Sequence, residues 1–107
     1  MKDYGGINHL SAVAKFRGYG NVIELLVWKD SDDYFNRRNI ETWVDTCDFC
    51  VRLDKKQWGQ LSQKDQWKMA RDALICVVSG NPQEFLETYD YIITYNFEYL
   101  KNNGFSI

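Results

Sequence analysis

Cys47, Asp48, Phe49 and Cys50 form a C-x-x-C unit, the spacing used by redox pairs and zinc sites. A redox pair needs its first thiol at a helix N-terminus, where the local field lowers the thiol pKa. The flanks here read as strand, and positions three apart on a strand point to opposite faces. Zinc takes four ligands, and the other soft donors are Cys76 and the single histidine, His9. No second motif gathers these four. The cysteines are therefore expected to be small buried hydrophobes, with no metal and no cofactor. Three cysteines, an odd number, and an opening segment without the basic-then-apolar order of an export signal fit a reducing cytoplasm.

Other catalytic templates fail on inventory. His9 is the one candidate base for a nucleophilic dyad, and nothing beside Asn8 and Leu10 places a nucleophile next to it. Gly18, Tyr19 and Gly20 lack the third glycine of a dinucleotide loop and the Lys-Ser/Thr of a phosphate loop, so they read as a turn. Asp32 and Asp33 sit in an acidic loop with nothing to bury them and raise a carboxyl pKa. The expectation is a protein that is not an enzyme.

The elements that would position any site are clearest in the second half. Ser62 followed by Asp65 resembles a capping box, and Trp67, Ala70, Leu74 and Val77 recur at helical spacing until Gly80. Asn81 and Pro82 can start a second helix, predicted to run from residue 82 to about 102 and to end at Gly104. At roughly 100° per residue, Leu86, Tyr89, Ile92, Ile93, Asn96 and Leu100 fall on one side, the predicted core face. Glu84, Glu87, Tyr91 and Glu98 fall opposite, with Tyr95 close by. Two helices with so short a connection pack as an antiparallel hairpin.

In the first half, residues 12–17 and 22–28 alternate as strands around the turn at Gly18–Asn21, with Ala12, Ala14 and Phe16 on one face and Ile23, Leu25 and Val27 on another. A third strand is placed at residues 42–53, where Cys47, Phe49, Val51 and Leu53 alternate with polar positions. Helical spacing of Ile40, Trp43, Val44 and Cys47, or of Ile7, Leu10, Val13 and Ala14, is the competing pattern, and it would make the chain all-α. The preferred reading of the 107 residues is a single α+β domain, a small antiparallel sheet of about three strands packed against a C-terminal helical hairpin. Its 16% aromatic content makes such a core feasible without disulfides.

Function enters through the outward face. Tyrosine carries an apolar ring with a polar tip, and carboxylates beside it would steer a cationic partner. Glu84, Glu87, Tyr91, Tyr95 and Glu98 are the candidate partner-binding residues, with Asp30, Asp32 and Asp33 as an extension. Arg37, Arg38, Lys55, Lys56, Lys64 and Lys68 look scattered, without the interleaved aromatics of a nucleic-acid groove. With a net charge of −2 and no apolar run long enough to span a bilayer, neither direct nucleic-acid binding nor membrane association is expected. These features suit a small cytoplasmic inhibitor that binds a cationic protein such as a nuclease toxin. Immunity proteins of bacterial competition share that general character, a likeness of type that no motif carries. A phage-encoded inhibitor of a host defence nuclease and a homodimeric interaction subunit are the alternatives.

Overall fold

The first 28 residues form three consecutive strands in the computed structural model, which describes residues 1–36 and 39–96, with period-2 alternation clearest from Ala12 onward. These are β1 (Lys2–His9), β2 (Ala12–Tyr19) and β3 (Val22–Trp28), joined by two-residue turns at positions 10–11 and 20–21. Gly20 supplies the left-handed conformation of the second turn, at φ 55°. In the first turn that conformation falls on Leu10, at φ 56°.

A short helical connection then crosses the sheet: α1 (Ser31–Phe35), a 3-10 turn (Ile40–Thr42) and α2 (Trp43–Thr46). It leads to β4 (Phe49–Asp54), antiparallel to β3. A second connection holds α3 (Lys55–Gln60), the 16-residue α4 (Gln63–Val78) and α5 (Pro82–Thr88), and ends in β5 (Ile93–Asn96), antiparallel to β4. The sheet order is β1-β2-β3-β4-β5, a five-stranded antiparallel meander.

The two connections cover opposite faces. Ala12, Ala14 and Phe16 of β2, Ile23, Leu25 and Val27 of β3, and Phe49, Val51 and Leu53 of β4 meet Met69, Ala70, Ala73, Leu74 and Val77 of α4 and Phe85 and Leu86 of α5. Phe16, Phe49 and Phe85 are all but fully buried, and each removes enough apolar surface from water to contribute on the order of 2–3 kcal/mol. On the other face, Val13, Leu26, Trp28 and Cys50 pack under Trp43 and Cys47, with Tyr34, Ile40 and Val44 at the margin. The Trp28, Tyr34 and Trp43 rings meet at 4.9–5.8 Å between centroids, and Trp28 Nε1 donates to Thr46 Oγ1 at 2.9 Å.

The α+β class holds, but the expected architecture is corrected: the sheet has five strands rather than about three, and the all-α alternative falls with it. β1 is masked in the sequence by Gly5 and Gly6. There Tyr4 and Gly5 stand opposite Phe16 alone, a bulge that breaks the alternation, with Gly5 at φ 88°. Gly6 is required by close approach, since a Cβ there would lie 2.0 Å from the Ala14 carbonyl oxygen. Residues 42–46, expected in a strand, are helical, because Ile40, Trp43, Val44 and Cys47 turn one apolar stripe onto the sheet. The long last helix is also corrected. Helix α5 stops at Thr88, and the β-branched and aromatic run Ile93-Thr94-Tyr95 pairs with β4 instead. The part of that helix expected beyond Asn96, including Glu98, lies outside the described residues.

Candidate functional site

Helix α5 turns Phe85 and Leu86 inward, which leaves Glu84 and Glu87 exposed one turn apart. Asn81 Nδ2 donates to Glu84 at 3.3 Å and Gln83 Nε2 to Glu87 at 3.5 Å. Where the helix ends, Asp90 is exposed and Tyr91 is 60% exposed, its ring 6.3 Å from that of buried Tyr89. Tyr89 donates its hydroxyl to Asp72 Oδ2 at 2.5 Å and lines, with Cys76, Glu84 and Thr88, a groove of about 280 Å³ between α4 and α5. Burial, together with the Asp72 carboxylate, pushes the Tyr89 phenol well above its ordinary pKa, so the ring stays neutral and holds the groove wall. Among the described residues, Glu84, Glu87 and Asp90 form no ion pair.

The other expected members of this surface are placed elsewhere. Tyr95 is 49% exposed, but it pairs with Arg52 across β4 and β5, its ring 5.7 Å from the guanidinium. Arg52 alternates with Val51 and Leu53 of the helix-side core, so Tyr95 belongs to the opposite face of the sheet from Tyr91. The loss of helix beyond Thr88 separates the two rings. Asp30, Asp32 and Asp33 are exposed but start α1, on that same far side. Asp30 caps the helix by accepting from the Asp32 amide at 2.9 Å, and Asp32 and Asp33 occupy the first turn, where the helix dipole favours negative charge.

Beneath the far-side helices lies a buried polar network. Arg17 Nε donates to Glu24 Oε1 at 3.3 Å, and Arg17 Nη1 donates to the Ile40 carbonyl at 2.6 Å. Cys50 Sγ donates to Glu24 Oε2 at 3.5 Å. Because α2 replaces the expected strand, Cys47 and Cys50 enter one cluster instead of opposite faces. Burial, chiefly, pushes both thiols well above the usual range, opposite to what a nucleophile or metal ligand requires. Among the described residues no three His, Cys, Asp or Glu side chains gather as a metal site would. His9 is exposed at the end of β1.

A further surface escaped the sequence reading. Trp67, grouped there with Ala70, Leu74 and Val77 by helical spacing, is 50% exposed, because the buried stripe of α4 centres between Ala70 and Ala73. It stands with Lys64, Lys68 and Arg71 beside Ile7 of β1, around a groove of about 280 Å³. The signal was the spacing i, i+3, i+4, i+7, which places all four helical residues on one flank. Among the described residues no helix is long and apolar enough to cross a membrane. No family model, no curated protein and no solved structure matches this chain.

Proposed function

We propose that this chain is a small protein-binding inhibitor of the immunity type, acting in the cytoplasm on a cationic protein such as a nuclease toxin. The observation that carries this reading is Tyr91, 60% exposed in the turn after α5, with the exposed carboxylates of Asp90 in the same turn and of Glu87 and Glu84 on the helix before it. An exposed ring gains by leaving water at an interface, and unneutralised carboxylates beside it attract a basic surface and complement its Arg and Lys side chains. A nuclease must carry such a surface to hold phosphates. Tyr89 and Asp72 beneath give the patch a fixed floor, so little order has to be gained on binding.

The test uses the partner captured from the source cell on the immobilised wild-type chain and identified by mass spectrometry. Tyr91→Ala and Glu87→Lys should each weaken binding about tenfold or more, while the melting temperature moves by less than ~2 °C. Association should slow as salt is added. Unchanged affinity in both variants, or a salt-insensitive on-rate, overturns the reading.

A further inference from the structure

We propose that the groove between the free edge of β1 and helix α4 is a second binding site, one that takes an extended, acidic peptide segment of another protein. Its charged and aromatic residues are distinct from Glu84, Glu87, Asp90 and Tyr91 of the α5 surface, although Lys68 pairs with Asp72 beneath that surface and Ile75 borders both grooves. β1 is the end strand of the sheet, so alternate residues turn their N–H and C=O groups away from β2, and among the described residues no strand receives them. The bulge at Tyr4 and Gly5 disrupts the first half of that edge. Residues 6–9 run regularly, Gly6 opposite Lys15 through His9 opposite Ala12, and present the straight template that strand addition uses.

Helix α4 supplies the second wall and its charge. Lys64, Lys68 and Arg71 surround Trp67 and Ile7. Lys68 pairs with Asp72 at 3.1 Å, whereas Lys64 and Arg71 form no ion pair among the described residues. Three cations on one flank of a chain whose net charge is −2 select an acidic partner. Every second residue of an added strand faces α4. A leucine at such a position seats on Ile7 and Trp67, and glutamates on either side of it reach the cations. The wall continues as an aliphatic groove of about 330 Å³, where Leu10, 89% exposed, faces Ile75 and Val78. A peptide fits these walls better than a nucleic acid. The edge offers ladder hydrogen bonds, which a nucleotide strand does not use, and among the described residues the charged part of the groove has Trp67 as its one stacking ring, with His9 further along, where a base-binding groove sets out several in series.

The test is an amide NMR titration of the ¹⁵N-labelled full chain with a capped heptapeptide, Glu-Thr-Leu-Thr-Glu-Thr-Leu. Saturable shifts are expected at residues 6–9 and at the Trp67 indole, with half-saturation below about 1 mM. The Lys68→Glu/Arg71→Glu double variant, its fold checked by circular dichroism, should weaken binding about tenfold or more, and a peptide with lysine in place of glutamate should not bind. Peptides N-methylated at alternate residues should lose binding in one of the two phases. Binding retained in both phases overturns strand addition. Tighter binding of a twelve-nucleotide oligothymidylate at the same residues overturns the choice of partner, and so do shifts that depend on the chain's own concentration. No shift at these residues overturns the site itself.

Discussion

Leu10 holds a left-handed backbone, which an L side chain tolerates poorly, while its side chain is 89% exposed. Neither choice helps the monomer, since Asn or Gly at this turn position would remove strain and lose no burial. Leu10→Asn is expected to raise stability by about 1 kcal/mol, read as a higher denaturant midpoint with an unchanged slope. The same variant should bind the heptapeptide more weakly, because the aliphatic wall is lost. Trp67 teaches a related lesson about what could be read in advance. Its helical phase placed it near the core stripe, but a ring at the margin of a stripe is covered only if a neighbouring element reaches over it. Ile7 of β1 borders the Trp67 ring without covering it. The edge between core and surface is set by packing between distant segments, so residues such as Trp67 are the hardest to place from periodicity alone.

Elements show the same division. The β2–β3 hairpin, β4 from Phe49 onward and the start and stop of α4 were legible, because alternation, the Ser62 cap and Gly80 act over a few residues. The Asp65 amide donates to Ser62 Oγ at 3.1 Å, as the capping pattern implied. Residues 91–96 were not legible, since Ile92, Ile93 and Asn96 satisfy a helical period as well as a strand one. The open edge of β4 decides between them, by offering hydrogen bonds that solvent would otherwise take. That decision also split the candidate site, leaving Tyr91 and Tyr95 on opposite faces. The far-side connection depends on a different device. Arg17 reaches through to the Ile40 carbonyl while paired with Glu24, and so fastens the 3-10 turn onto the sheet. Arg17→Ala should destabilise the fold by about 3–5 kcal/mol in chemical denaturation, because Glu24 is left buried and unpaired. The Arg17→Met/Glu24→Leu variant should recover most of that loss. A milder effect of the single change would mean that water reaches Glu24.

For the molecule as a whole, the buried thiols link stability to alkaline pH. Cys47 and Cys50 hold their protons more tightly folded than unfolded. Below the ordinary thiol value of 9.0 both states stay protonated and this contribution is fully present. As pH rises past it, the unfolded chain releases its protons first and stability falls. Tyr89 adds to the decline above its ordinary value of 10.0. Thermal melts between pH 8 and 10.5 should therefore show a steady drop, and the Cys47→Ala/Cys50→Ala variant should show a shallower one whatever its stability at neutral pH. Equal slopes would place the thiols in contact with solvent.

The helical connections clothe the sheet on both sides, so Ile23 through Trp28 are buried whichever way each side chain points. A typical antiparallel strand keeps a wet side on which a lineage can drift; β3 has surrendered its own. Room for innovation is thus exiled to the rims of the molecule, and there β1, the β1–β2 turn and the end of α5 expose the rings, cations and carboxylates with which it can meet other molecules.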